Sequence, residues 1–276
     1  MKKLLVFVFA VVLLGSCGKK GCTDPMANNY DEDATKDDGS CDNTVNNNSI
    51  AWLKTIGNKS FQRGHSVQQT SDGGYIISGR INSSDNNSGK VYLIKTNSYG
   101  ETLWTSEFGN NFGGNRWSDG WSVKQTLDGG YIIAGGQRLQ TDGSIYLIKV
   151  DESGIMQWEE IAKIYGYDAE AYSVCQTNDG GFVLTGKCET QSNFVDLFVC
   201  RYSSDGNLEW RNTFGGIAAD IGESIVITPD NSFFIAGYED SGWQSHVDSL
   251  YSIYLLKIDN NGNEEWSIKR TADSIR

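Results

Sequence analysis

Between residues 66 and 269 the chain alternates on the period of a β-strand. Ser66-Val67-Gln68-Gln69-Thr70 sets apolar against polar residues in turn, Ser71-Asp72-Gly73-Gly74 interrupts the run, and Tyr75-Ile76-Ile77-Ser78-Gly79 resumes it as a continuous apolar stretch. The pattern predicts a hairpin with one half-buried and one fully buried strand. Val91-Tyr92-Leu93-Ile94-Lys95 predicts a third strand, Asn97-Ser98-Tyr99-Gly100 a turn, and a fourth strand is centred on Trp104.

This unit of roughly 50 residues is written four times, a period that marks a repeat architecture. A basic residue, a Gly five positions on and a Trp four beyond that recur as Lys95/Gly100/Trp104, Lys149/Gly154/Trp158, Arg201/Gly206/Trp210 and Lys257/Gly262/Trp266. Upstream, Val67, Val123, Val174 and Ile225 are each followed by Gly74, Gly130, Gly181 or Ser232, then by Gly79, Gly135, Gly186 or Gly237. Four antiparallel strands per unit predict an all-β protein, a β-propeller of four-stranded blades. The recurring Trp is read as packing between blades. The recurring base is placed on the water-facing or blade-edge side of the third strand.

The two ends leave the count unmatched. Trp52 in Ala51-Trp52-Leu53-Lys54-Thr55-Ile56-Gly57 stands at the spacing of a fourth strand, and Ala272-Asp273-Ser274-Ile275-Arg276 reads as a first strand beginning. The expectation is four complete repeats with a partial blade at each end. An irregular ring, an open array completed by another chain and a chain cut short are all open, the last being favoured because an uncovered sheet edge invites aggregation.

Ahead of the repeats, Met1-Lys2-Lys3 is a basic start and Leu4 to Leu14 an apolar run too short to span a bilayer as a helix. Leu14-Gly15-Ser16-Cys17 resembles the lipobox of bacterial lipoproteins, which implies that residues 1–16 are a signal peptide and that Cys17 is the lipid attachment site. The expected location is the bacterial cell envelope, with the membrane as a partner through the anchor. Loss of Lys2 and Lys3 takes the net charge from −12 to −14, and so acidic a chain repels phosphate backbones; nucleic acid is excluded as a partner.

Residues 17–49 differ in character: they lack apolar periodicity and carry Cys22 and Cys41. In an exported chain these two are expected to form a disulfide, with a polar linker following before the propeller region, residues 50–276. Asp31, Asp33, Asp37 and Asp38 stand near Gly39, and calcium is the one cofactor they bring into view, against a plain solvated acidic loop; the spacing is not that of an EF-hand. The segment resembles the small Cys-Thr-Asp-Pro to Asp-Asp-Gly-Ser-Cys modules of secreted bacterial proteins. Residues 66 to 269 resemble the Asp-Gly-Gly-Tyr and Gly-x-x-x-Trp propeller repeats of exported bacterial lipoproteins, and more distantly the quinoprotein-type propeller. That resemblance implies the fold and no particular activity.

Two connections per repeat keep their length and two vary, and in an up-and-down blade the variable pair emerges on one face, which is the expected binding surface. Trp117, and Trp243 with His246 in the longest insertion, stand outside the repeat pattern there and are the candidate ligand-binding residues, suited to a sugar ring or a protein. Trp121 aligns with His65, Tyr172 and Glu223 and is assigned to the repeat. Cys175, Cys188 and Cys200 are read as buried apolar residues in preference to a disulfide or metal cluster, since an Asp179-Gly180 hairpin turn would set Cys175 opposite Leu184. No nucleophile or zinc motif occurs, so no catalytic residue is assigned, and paired carboxylates for glycoside hydrolysis are invisible to sequence. The expected function is a lipid-anchored binding or scaffold module; the alternatives are a polysaccharide-acting hydrolase and a purely structural envelope scaffold.

Overall fold

The computed structural model describes residues 18–25, 27, 29–42, 53–57, 61–82, 88–109, 116–139, 142–190, 194–241 and 251–271. The chain forms two compact units, Met1–Leu53 and Lys54–Arg276. The candidates Cys17, Trp243 and His246, and Trp52 with the last five residues, lie outside the described residues.

In the first unit Cys22 and Cys41 form the expected disulfide, with Cα atoms 4.7 Å apart. Two short strands, β1 (Lys20–Gly21) and β2 (Lys36–Asp37), pair in parallel beside it.

The second unit holds four blades of four strands each, and no helix occurs among the described residues. Blade 1 is β3 (Gln62–Gln69), β4 (Tyr75–Asn82), β5 (Ser88–Thr96) and β6 (Thr102–Phe108). Blade 2 is β7 (Arg116–Gln125), β8 (Tyr131–Leu139), β9 (Asp142–Val150) and β10 (Met156–Ala162). Blade 3 is β11 (Ala169–Gln176), β12 (Phe182–Glu189), β13 (Val195–Tyr202) and β14 (Leu208–Phe214); blade 4 is β15 (Ala219–Ile227), β16 (Phe233–Asp240), β17 (Tyr251–Ile258) and β18 (Glu264–Thr271). Each blade is an antiparallel meander, as the strand periodicity requires, and the first strands β3, β7, β11 and β15 neighbour one another in series. This is β-propeller architecture.

Apolar cores lie between blades. Ile76, Leu93, Tyr131 and Ile148 fill the first interface, Ile132, Leu147, Phe182 and Phe198 the second, and Val183, Val199, Phe233 and Leu256 the third. The recurring Trp bridges each interface. Trp104, Trp158 and Trp210 meet Tyr131, Phe182 and Phe233 of the following blade at ring-centroid distances of 5.9, 5.8 and 6.3 Å. Each also covers the turn glycine of that blade: a Cβ on Gly154, Gly206 or Gly262 would lie 2.6, 2.9 or 2.9 Å from the indole. These glycines combine positive φ with a surface that must be flat, which explains why Gly and Trp recur together. Blade 4 presents the same face with no following blade among the described residues. Ile253 is 60 % exposed where its counterparts Val91, Ile145 and Leu197 are 0–1 % exposed.

The recurring bases are not on the water-facing side. Lys95, Lys149 and Arg201 are 3, 4 and 6 % exposed, and each reaches the Asp of its own hairpin turn. Lys95 Nζ lies 2.8 Å from Asp72, Lys149 Nζ 2.8 Å from Asp128 and Lys257 Nζ 2.9 Å from Asp230; Arg201 pairs with Asp179. Aspartate in the turn therefore has two tasks. One oxygen of Asp72 also accepts from Gly74 N and Thr70 Oγ1, closing the turn, while the other holds the third strand. A buried base finds its counter-ion here without leaving the blade.

Cys175, Cys188 and Cys200 form no disulfide, and burial raises the pKa of all three thiols. Cys175 pairs across the hairpin with Val183, one residue from the expected Leu184, because the turn is closed by Thr177 and Gly181 and is longer than a two-residue loop.

Candidate functional site

The first strand of every blade carries a β-bulge at the same place. In blade 1 Gly64 pairs with Gly79 and Ser66 with Ser78, which leaves His65 unpaired between them. The same shift leaves out Trp121 in β7, Tyr172 in β11 and Glu223 in β15. A bulge bends the strand and re-aims the extra side chain, and here it brings the partner strand so close that only glycine fits. A Cβ on Gly79, Gly135, Gly186 or Gly237 would overlap the backbone carbonyl of Arg63, Asp119, Glu170 or Ile221. The recurrent glycine thus marks the bulge, and the bulge marks a site.

The four bulged residues come from neighbouring first strands, and contacts run between the first three. His65 and Trp121 rings are 4.1 Å apart and Trp121 and Tyr172 are 6.0 Å apart, edge to face. Glu223 follows at the next blade; burial and then Glu170 raise the Tyr172 hydroxyl pKa, and the Glu223 charge adds to that. Glu223 is exposed at the surface, yet desolvation by its neighbours lifts its carboxyl above the usual glutamate range, with Lys187 pulling the other way.

Two further carboxylates stand two residues before the bulges. Asp119 holds His65 Nε2 at 3.2 Å through one oxygen and Arg80 Nη1 at 3.2 Å through the other. Burial lowers the His65 pKa, so the neutral ring donates its Nε2 proton to the carboxylate. Glu170 accepts from Tyr172 Oη at 3.1 Å and lies 3.5 Å from Lys187 Nζ and 4.0 Å from Arg138 Nη2. Its side chain crosses Gly136, where a Cβ would lie 2.5 Å from Glu170 Cγ.

Asp119, Glu170, Trp117, Trp121, Arg80 and Arg138 line one groove of about 440 Å³. Arg138 and Glu170 also line an adjoining hollow of about 300 Å³ that runs past Asp168 and Lys187. Both lie at the starts of first strands and the ends of second strands, the variable face. Such volumes suit a small ligand or a short stretch of polymer.

Trp117 does line the groove, but not as an open platform. The Arg80 guanidinium carbon sits 4.9 Å from its ring centroid, and a Cβ on Gly89 would lie 2.8 Å from its Cε3. Trp121, assigned to the repeat from sequence, is the more central of the two. Its Nε1 and Arg80 Nε are buried donors without a partner among the described residues. The signal was present: at one repeat position stand His, Trp, Tyr and Glu, a variety that packing alone does not require.

The four calcium candidates of the first unit divide into two pairs with different partners. Asp31 and Asp33 pair with Lys19 at 2.9 and 3.3 Å, whereas Asp37 and Asp38 accept from the backbone of Gly39 and Ser40 in their own turn. No group of three or more metal-ligating side chains occurs among the described residues.

No protein-family model matches the chain, and neither does any curated protein sequence. Solved structures do. An α-L-arabinanase of Penicillium chrysogenum aligns with 79 % of this chain and 72 % of its own at a TM-score of 0.51 and 10 % identity. An exo-β-1,3-galactanase of Bifidobacterium bifidum covers 77 % of this chain and 72 % of its own at a TM-score of 0.45 and 16 % identity. A GH43 β-1,3-galactosidase covers 79 % and 77 % at a TM-score of 0.41 and 10 % identity. At such identities the likeness is one of fold. The arabinanase that shares the fold carries a glycosidase name, and against this finding the expected binding or scaffold module is set aside.

Proposed function

We propose that the chain is a polysaccharide-acting glycoside hydrolase whose site is the bulge ring on the variable face. One observation carries the reading: Asp119 and Glu170, from the first strands of two successive blades, line one groove with Trp121, and Glu223 on the first strand of the next blade lies near enough for its charge to act on Tyr172. Cleaving a glycosidic bond needs a carboxylic acid to protonate the leaving oxygen and a carboxylate to serve as base or nucleophile.

Glu223 is the candidate acid, because the β15 bulge extrudes it at the position of His65, Trp121 and Tyr172, and its carboxyl pKa is shifted upward. Asp119, fixed by Arg80 and His65, is the candidate carboxylate. Glu170 positions the wall between them through Tyr172. The Trp121 ring in the groove wall offers an apolar surface to the C–H face of a sugar. The lipobox resemblance adds an envelope location to this reading, with Cys17 as the anchor.

Glu223→Gln and Asp119→Asn test the assignment. Each is expected to lower turnover of a cleavable glycan by about a hundredfold or more, with the melting temperature little changed. Turnover that survives both substitutions would overturn the site.

A further inference from the structure

We propose that the hollow between blades 2 and 3 is a subsite for one uncharged sugar residue of a glycan whose next residue lies in the groove; this rests on the groove being the substrate site. The repeat supplies the comparison. At each seam between blades, the residue six before the recurring base on the third strand meets the residue four before the bulge on the next first strand. The three pairs are Gly89–Trp117, Gly143–Asp168 and Val195–Ala219. Between blades 1 and 2 the place is filled, since a Cβ on Gly89 would lie 2.8 Å from both Trp117 Cε3 and Arg80 Cδ. Between blades 3 and 4 it is filled again, by a cluster of Val195, Ala219 and Ile221, which are 6, 1 and 3 % exposed. Between blades 2 and 3 it is not. Asp168 comes no nearer than 3.5 Å to a Cβ on Gly143, and about 300 Å³ stays open beside them. Close packing governs the other two seams, so the scaffold has two ways of closing this place and uses neither here.

The lining defines the ligand. Gln137, Arg138, Asp168, Glu170, Lys187 and Glu189 bring amide, guanidinium, ammonium and carboxylate groups to the hollow, and the buried Ala169 and Cys188 add apolar surface. The charges balance. Asp119 is held by Arg80 at 3.2 Å and Asp168 by Lys163 at 3.1 Å, while Glu170 and Glu189 share the hollow with Lys187 and Arg138. Among the described residues, then, no cation is left over for a carboxylate or sulfate and no acid for an amine. A neutral sugar has the matching character, with hydroxyls that both donate and accept around a C–H body. Arg138 and Glu170 line both cavities, so a chain that leaves the groove past them enters the hollow.

The test is calorimetry on the full-length Glu223→Gln chain, in which turnover is removed. The probes are neutral xylo-, gluco- and galacto-oligosaccharides of two and of four residues, with galacturonate oligomers of the same lengths. At least one neutral series is expected to bind, its tetramer about tenfold or more tighter than its dimer. Asp168→Trp, which copies the plug between blades 1 and 2, should bring the tetramer down to the affinity of the dimer. Arg138→Ala changes a side chain that is 58 % exposed and leaves the seam packing alone; it should weaken the tetramer by about fivefold. Tetramers no tighter than dimers, uronates preferred to neutral chains, no binding by any neutral series, or an unchanged length gain in both variants would overturn the subsite. The two readings fail separately. Cleavage of glycans with no length gain in binding sinks the subsite and leaves the hydrolase, whereas a length gain with no cleavage of any glycan by the wild-type chain sinks the hydrolase and leaves a sugar-binding hollow.

Discussion

His65, Trp121, Tyr172 and Glu223 occupy one position of the repeat, and no two of them are alike. Alignment of the repeats makes that position look structural, because its neighbours are. The bulge separates the two meanings: its glycine partner is fixed by a carbonyl overlap, while the residue it extrudes is free to vary. Trp117 was legible as an aromatic outside the pattern, but its cation and backbone contacts depend on Arg80 and Gly89, which lie in another blade and far away in sequence. If Glu223 is the acid, kcat/KM should fall as pH rises through its elevated pKa, placing the basic limb above the ordinary glutamate range; a flat profile there would argue against it. A second carboxyl pair lies away from the groove. The side chain of Asp220 is 0 % exposed, that of Asp196 has a buried oxygen without a partner, and both converge on the Cα of Gly215. Desolvation raises both pKa values, and the charge of Asp220 raises Asp196 further, while Lys269 partly offsets the effect on Asp220. A folded pKa above the unfolded one gives stability that is complete below the unfolded carboxyl range and lost as pH rises through the folded value. Asp196→Asn is therefore expected to stabilise the chain near pH 7 by on the order of 1 kcal/mol, with the gain shrinking at acid pH. Thermal melts at both pH values check this.

At the scale of the element, strand period and the position of each turn were legible in alternation and in Asp-Gly-Gly, because both are local, whereas the loop length was not, and Cys175 pairs one residue away from the expected Leu184. The buried ion pairs were not. Lys95 alternates with apolar neighbours like any edge lysine, and only the folded hairpin shows that its ammonium reaches back to Asp72. Removing that counter-ion isolates a buried charge, so Asp128→Asn, which strands Lys149, is expected to cost about 2 kcal/mol, below the figure for a fully buried pair because Asp128 is itself half exposed. Gly186→Ala should cost more, about 3 kcal/mol or above, since its Cβ meets the backbone carbonyl of Glu170 and the bulge cannot absorb it. Gly216→Ala is the control: no atom lies within 4 Å of the added Cβ, and stability should stay within about 0.5 kcal/mol. Denaturant midpoints for the three variants give the ordering.

Over the whole molecule, the repeat period was enough to name the architecture, because four copies of a meander have few ways to bury one face each. How the array ends was not legible. Blade 4 offers Ile253 and Trp266 to solvent on the face by which the earlier blades pack. Asp72, whose pKa falls to about 2 beside Lys95, and Asp128, Asp179 and Asp230, shifted in the same direction, give all four blades a shared acid sensitivity. Their folded pKa values lie below the unfolded one, so their contribution holds above the unfolded carboxyl range and is lost as pH falls through the folded values. Melting temperature should drop between about pH 4 and pH 2. A site assembled from three blades depends on that shared framework, since Asp119, Glu170 and Glu223 belong to three different sheets. The most direct measurement is release of new reducing ends when the full-length chain is incubated with a panel of neutral and acidic polysaccharides. Release that disappears in Glu223→Gln is the expected result; a folded chain that frees no reducing ends from any of them would contradict the hydrolase.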